Sequence, residues 1–221
     1  MYSYEYPHPA VTVDIVIFTL REGQLKLLLI RRGGDPYRGQ WALPGGFIRL
    51  DEDLDESARR ELEEETGVSD VYLEQLYTFG APQRDPRERV ITVAYYALIP
   101  SDRLQLRAAT DAEAVGWFGM EELPELAFDH TDIIAMAHGR LTAKLDYSTL
   151  GFQFLPEEFT LPELQSVYET ILREALDKRN FRKWVLALEQ IEETGGERRD
   201  GAHRPAKLYR VKQPGIVAII K

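Results

Sequence analysis

Gly46-Phe-Ile-Arg-Leu-Asp-Glu52, then seven residues, then Arg60-Glu61-Leu62-Glu63-Glu64-Glu65-Thr66-Gly67-Val68 is the stretch whose reading decides this chain. Residues 55–66 predict a helix that stops at Gly67, because glycine suits the left-handed position that ends a helix. On that helix Glu61, Glu64 and Glu65 stand at i, i+3 and i+4 and share one face. Leu54, Ala58 and Leu62 take another face and pack inward. Three like charges on one face repel one another, and a divalent cation removes that cost. Mg²⁺ is a hard ion that prefers carboxylate oxygens and usually shares its site with substrate phosphates. Gly45 and Gly46 open backbone conformations closed to other residues just before the helix. Glu52 and Arg60 are placed to pair and hold the loop against the helix.

Working outward, Val11, Val13, Ile15 and Ile17 alternate as in a half-buried strand. Arg21-Glu22-Gly23-Gln24 reads as a hairpin turn, and Leu25 to Ile30 as the returning strand. A Gly- and Pro-rich loop runs from Gly33 to Gly46. Val71 to Phe79 and Arg89 to Ile99 predict two more strands, and Thr131–Leu141 a second helix. Strands and helices mix without a regular βαβ repeat, so the fold class is α+β, with layers of helix, mixed sheet and helix.

Past Gly139, Gly151 and Pro156 the pattern changes, which puts a domain boundary within 140–160, taken at 145/146: a first domain over 1–145 and a second over 146–221. Thr160 is a good N-cap with Pro162 in the first turn, and Leu164, Val167, Tyr168, Ile171, Leu172 and Ala175 form one apolar stripe. Asp177 caps a second helix whose stripe is Phe181, Trp184, Val185, Leu188 and Ile191, with Arg179, Arg182 and Lys183 opposite. A basic hairpin tipped at Asp200-Gly201 follows. Two helices joined by a short turn and flanked by a hairpin make a winged helix-turn-helix, whose second helix enters the major groove of DNA.

Charge separates the two halves. Residues 1–144 hold 15 Lys+Arg against 25 Asp+Glu, and residues 170–221 hold 12 against 7, within a total of −10. An acidic front and a basic tail call for different partners. With no cysteine, disulfides and thiolate metal sites are excluded. No apolar run approaches the roughly 20 residues of a membrane span, and Met1-Tyr-Ser-Tyr-Glu-Tyr-Pro has no signal-peptide pattern. The expectation is a cytoplasmic protein with no membrane partner.

A glutamate-rich helix alone is most often a solvated face. Here, however, every specified position of a 23-residue pattern is filled: Gly46, Glu52, Arg60, Glu61, Leu62, Glu64, Glu65, Gly67 and Val68. This resembles the Nudix box, and Trp41-Ala42-Leu43-Pro44-Gly45-Gly46 resembles the family's lead-in. The resemblance implies a Nudix α/β/α sandwich with a mixed sheet, a Mg²⁺ or Mn²⁺ site on Glu61, Glu64 and Glu65, and supporting roles for Glu52 and Arg60. It implies substrates in which a nucleoside diphosphate is linked to another group. A general base is placed either at Asp111 or Glu113, or nowhere, since both also read as ordinary loop acids. Residues 76–97, with Pro82, resemble the ADP-ribose branch of the family. Gly46 lines the substrate site, and Arg84, Arg87 or Arg89 either contacts phosphate or pairs with nearby acids.

The tail carries its own resemblance. Phe159-Thr-Leu-Pro-Glu-Leu-Gln-Ser-Val-Tyr168, Leu176-Asp-Lys-Arg-Asn-Phe-Arg-Lys183 and Arg204-Pro-Ala-Lys-Leu-Tyr-Arg210 resemble Nudix-related transcriptional regulators of NAD metabolism. That implies a homodimer which binds a double-stranded DNA operator through Lys178, Arg179, Arg182, Lys183 and Arg204, and senses ADP-ribose or a related nucleotide in its Nudix domain. Many such regulators have eroded boxes; this one is intact, so hydrolysis is expected as well. Two other readings remain: an ADP-ribose pyrophosphatase whose tail binds no DNA, and a sugar-responsive regulator without catalysis.

Overall fold

A computed structural model describes residues 5–103, 112–199 and 205–220. Strand β1 (Ala10–Arg21) is the spine of a mixed sheet. It turns through Glu22-Gly23 into antiparallel β2 (Gln24–Arg32) and lies parallel to β6 (Val90–Ile99), in register from Ala10↔Val90 to Thr19↔Ile99. Strand β5 (Tyr72–Phe79) pairs antiparallel with β6. Two short strands lie in the loop expected over 33–46 and just beyond it: β3 (Trp41–Ala42) on β2 and β4 (Gly45–Phe47) on β1. A further strand that the pattern does not announce, β7 (Ala112–Gly119), pairs with the outer side of β2.

The expectation of a half-buried β1 is corrected. Val13, Ile15 and Ile17 point to one face, where Ala58 and Leu62 of helix α1 (Leu54–Thr66) cover them. Val16 and Phe18 point to the other face, where Ile133, Ile134 and Leu141 of α2 (His130–Leu145) cover them. A strand between two helical layers is apolar on both sides, which erases the period-2 signal. The layered α+β fold is as expected. Helix α1 starts with a capping box between Asp53 and Glu56 and ends at Gly67, whose φ is 68°.

The second domain packs on the α2 face. Helix α3 (Leu161–Leu172) opens with a capping box of Thr160 and Glu163, and α4 (Lys178–Ala187) is capped by Asp177. Strands β8 (Ile191–Arg198) and β9 (Ala206–Val211) form the wing; its tip at Asp200-Gly201 lies outside the described residues. Two residues leave the helices assigned to them. Arg173 takes a φ of 58° and ends α3 before Ala175, and Glu189 at 55° turns the chain after α4, so Ile191 opens a strand. One apolar cluster runs from Val16 and Phe18 through Leu145 and Phe152 to Leu164, Tyr168 and Phe181, so the two domains share a continuous core. The last described residues return to the connection between them, where the Thr149 N–H donates to Ala218 O (3.0 Å) and the Ile220 N–H to Tyr147 O (2.8 Å). Among the described residues no helix is long and apolar enough to cross a membrane.

Candidate functional site

The box folds around Arg60. Its Nε and Nη2 donate to the two oxygens of Glu52 at 2.7 and 3.1 Å, the pairing expected from the sequence. Its Nη1 donates to Glu61 Oε1 at 2.6 Å and to Glu64 Oε2 at 3.3 Å. The Ser57 hydroxyl adds a bond to Glu52 Oε2 at 2.7 Å. The Arg60 hydrogen bond holds the Glu52 carboxyl down at about 2. One guanidinium thus offsets the repulsion among three acids, and a helix carrying that much negative charge still packs.

The three glutamates do not converge equally. Glu61 and Glu65 are buried (8% and 3% exposed), whereas the Glu64 side chain is half exposed, with Arg49 Nη2 3.6 Å away. Among the described residues no three acidic or histidine side chains stand close enough to hold an ion as they are. The chemistry of the donor set still fits a hard divalent ion. Gly46 shows how close the lead-in comes to this corner: a Cβ there would lie 2.5 Å from Glu61 Oε1, so any side chain would push that carboxylate aside. The lead-in thus presses backbone directly against a metal-type carboxylate.

A cleft of about 540 Å³ opens beside that corner, lined among others by Gly46, Phe47, Arg84, Arg87, Phe128 and His130. Sequence reasoning offered Arg84 and Arg87 as alternatives between phosphate and acid partners. Both are paired with acids here. Arg84 donates to Asp129 through two bonds of 2.6 and 2.9 Å and approaches Asp14 at 3.3 Å. Arg87 donates to Asp85 through two bonds of 2.7 and 3.0 Å. Arg89 is exposed. Asp111 lies outside the described residues, and so does the side chain of Glu113, so neither general-base candidate is placed.

Sequence reasoning missed Asp14, Asp129 and His130. No local pattern marks them, because they meet only when the start of α2 docks beside β1. His130 is buried, its Nδ1 accepts from the Leu43 N–H at 2.8 Å, and Nε2 lies 3.6 Å from Asp14 Oδ1. Burial lowers its pKa, so the ring is neutral, with its proton on Nε2.

On the second domain, Lys178, Arg179, Arg182 and Lys183 all lie exposed on α4. Phe181 and Val185 point into the core from the same helix. The wing differs: Arg198, Lys207 and Arg210 are engaged by Glu163, Glu193 and Glu192 at 2.6, 2.8 and 2.7 Å. Arg204 falls outside the described residues.

Residues 8–137 match the family described as NUDIX domain. The chain belongs to the Nudix family. Residues 151–211 of this Nudix chain match the family described as NrtR DNA-binding winged helix domain. It is 42% identical to the ADPR responsive transcriptional repressor NtrR of Acinetobacter baylyi, over 93% of this chain and 83% of that protein. It is 40% identical to an ADP-ribose pyrophosphatase of Methanocaldococcus jannaschii, over 58% of this chain and 73% of that one. Among solved structures, Shewanella oneidensis NrtR complexed with a 27mer DNA superposes with a TM-score of 0.83 at 41% identity, covering 91% of this chain and 93% of that one. The NUDIX domain of the same Shewanella protein complexed with ADP ribose gives 0.55 at 39% identity, covering 62% and 90%.

Proposed function

We propose that this Nudix chain is a transcriptional regulator that binds operator DNA through α4 and ADP-ribose through the cleft beside its box. The observation that carries the reading is the pairing of two built surfaces on one core. One is a cleft next to a complete carboxylate box. The other is a helix whose four cations all face water while its apolar residues hold the domain together. Its similarity over most of its length to an ADP-ribose-responsive repressor, and to a protein solved on DNA, supports the same reading. The protein acts as a homodimer in the cytoplasm, dividing near 145/146, so that two α4 helices meet successive half-sites.

We also propose that the box is catalytic. Glu61, Glu64 and Glu65 are the ligands for Mg²⁺ or Mn²⁺, which when bound neutralises the diphosphate, polarises phosphorus and lowers the pKa of an attacking water. Arg60 orients Glu61 and Glu64 and ties them to Glu52. Gly46, which lines the cleft, leaves the Glu61 carboxylate room to lie against its backbone. The likeness to an ADP-ribose pyrophosphatase supports this activity. The deciding experiment incubates the full chain with Mg²⁺ and ADP-ribose, measures AMP release, and measures retention of its own upstream DNA. AMP release that EDTA abolishes, together with DNA retention, is expected. Release without DNA binding at low salt leaves a pyrophosphatase; DNA binding without release leaves a sensor.

A further inference from the structure

The two arginines in the cleft differ in what they have left to offer a ligand. The Arg84 side chain is 4% exposed and clasped by the carboxylates of Asp129 and Asp14. Its single positive charge is outweighed by two negative ones, so it braces β1 against the start of α2 and has no charge to spare for a phosphate. Arg87 is held by one buried carboxylate, Asp85, whose two bonds fix the guanidinium plane. That guanidinium lies 5.4 Å from the ring centre of Phe47 and 5.8 Å from that of Phe128. Phe47 is 44% exposed on β4, one residue beyond Gly46. Phe128 is braced edge-on by Tyr37, with ring centres 4.8 Å apart, and the Arg32 guanidinium sits 4.9 Å over its ring. Tyr37 and Phe128 both hold a positive φ, 63° and 56°. Bulky residues rarely adopt that conformation, and strain of this kind gathers at ligand clamps. The exposed ring of Phe47, beside a fixed guanidinium plane and with the braced ring of Phe128 behind it, favours a flat π system over a flexible or fully hydroxylated one.

We propose that Phe47, Phe128 and the guanidinium plane of Arg87 form the seat for the planar base of a nucleotide, one residue from the carboxylate corner that faces its diphosphate. This rests on the functional reading above and says which end of the ligand lies where. It also divides the two arginines: Arg87 belongs to the ligand and Arg84 to the scaffold.

The test splits ADP-ribose into its halves. Calorimetry on the full chain in EDTA measures affinity for AMP, ribose 5-phosphate and ADP-ribose. Phe47→Leu is expected to weaken AMP and ADP-ribose by about tenfold, the usual scale for losing one base–aromatic stack, and to leave ribose 5-phosphate unchanged. Phe47→Trp restores the affinity, since it keeps a ring to stack on. Tyr77→Leu, which removes another exposed aromatic outside the cleft, moves none of the three. Equal losses for AMP and ribose 5-phosphate in Phe47→Leu, or no loss for AMP, overturn the base seat. Wild-type protein that holds ADP-ribose and ribose 5-phosphate but not AMP overturns it too. Wild-type protein that binds none of the three overturns the functional reading itself.

Discussion

Gly45 and Gly46 are neighbours in sequence with separate duties, and two alanine substitutions should tell them apart. In Gly46→Ala the new Cβ would lie 2.5 Å from Glu61 Oε1 and 3.1 Å from Glu61 Cδ. An ordinary contact needs about 3.5 Å, so the carboxylate must retreat by roughly 1 Å. The obstacle is the end of a flexible side chain, so the stability cost falls at the low end of overpacking, about 1 kcal/mol. For a chain of this length that lowers Tm by about 2–4 °C. The catalytic cost is far larger, since a displacement of about 1 Å at a reacting site costs on the order of 10²-fold in rate. In Gly45→Ala the Cβ would meet the Val13 carbonyl oxygen at 2.2 Å and Asp14 Cα at 2.9 Å, at a φ of 151° that only glycine adopts readily. Backbone cannot swing aside, so the Asp14↔Gly45 pairing of β4 on β1 must open. That loss is about 3 kcal/mol or more. Calorimetric melting and Mg²⁺-dependent AMP release from ADP-ribose measure both effects. Gly46→Ala with wild-type turnover would refute the placement of Glu61 at the reaction. Gly45→Ala melting with the wild type would refute the β4 register.

Three further outcomes are expected. Arg182→Ala and Lys183→Ala should weaken operator binding without changing Tm, because both side chains are exposed; losing a phosphate contact lowers the salt slope by about one unit, while losing a base contact costs about 1–3 kcal/mol and relaxes specificity. ADP-ribose, added without Mg²⁺ so that it persists, should weaken operator affinity by about 5–150-fold, and operator DNA should weaken ADP-ribose by the same factor; unchanged affinities in paired titrations would mean the domains share a core but not a mechanism. Because burial depresses the His130 pKa below 6.5, the unfolded chain binds the proton more readily, so stability should be full above about pH 6.5 and decline as pH falls below it. Melting from pH 8 to 5 should show that decline, and His130→Gln should flatten it; an unchanged slope in the variant would assign the decline to other groups.

The box, the capped helices and the basic tail were legible because each is local. Helix α1 lies within one residue of its expected start, since a capping residue, a 3.6-residue period and a terminal glycine all act over a few positions. The Glu52–Arg60 pair follows from spacing on and beside one helix. The exposed cations of α4 follow from the opposite apolar stripe of Phe181 and Val185. What spans the fold was not legible. Strands β3, β4 and β7 are short or appended to β2, and their pairing energy comes from partners beyond any local pattern, across the Arg31↔Trp41 loop for β3 and tens of residues away for β4 and β7. The full burial of β1 depends on a second helical layer that its own alternation does not announce. Asp14, Arg84 and Asp129 meet across 70 and 45 residues. Residue types and spacings therefore determined which chemistry this chain carries. Only the tertiary structure decided that Arg84 is clasped by both Asp14 and Asp129 while Arg87 is held by Asp85 alone, because a charge is neutralised by the groups packed within a few ångströms of it, and those around Arg84 come from distant parts of the chain.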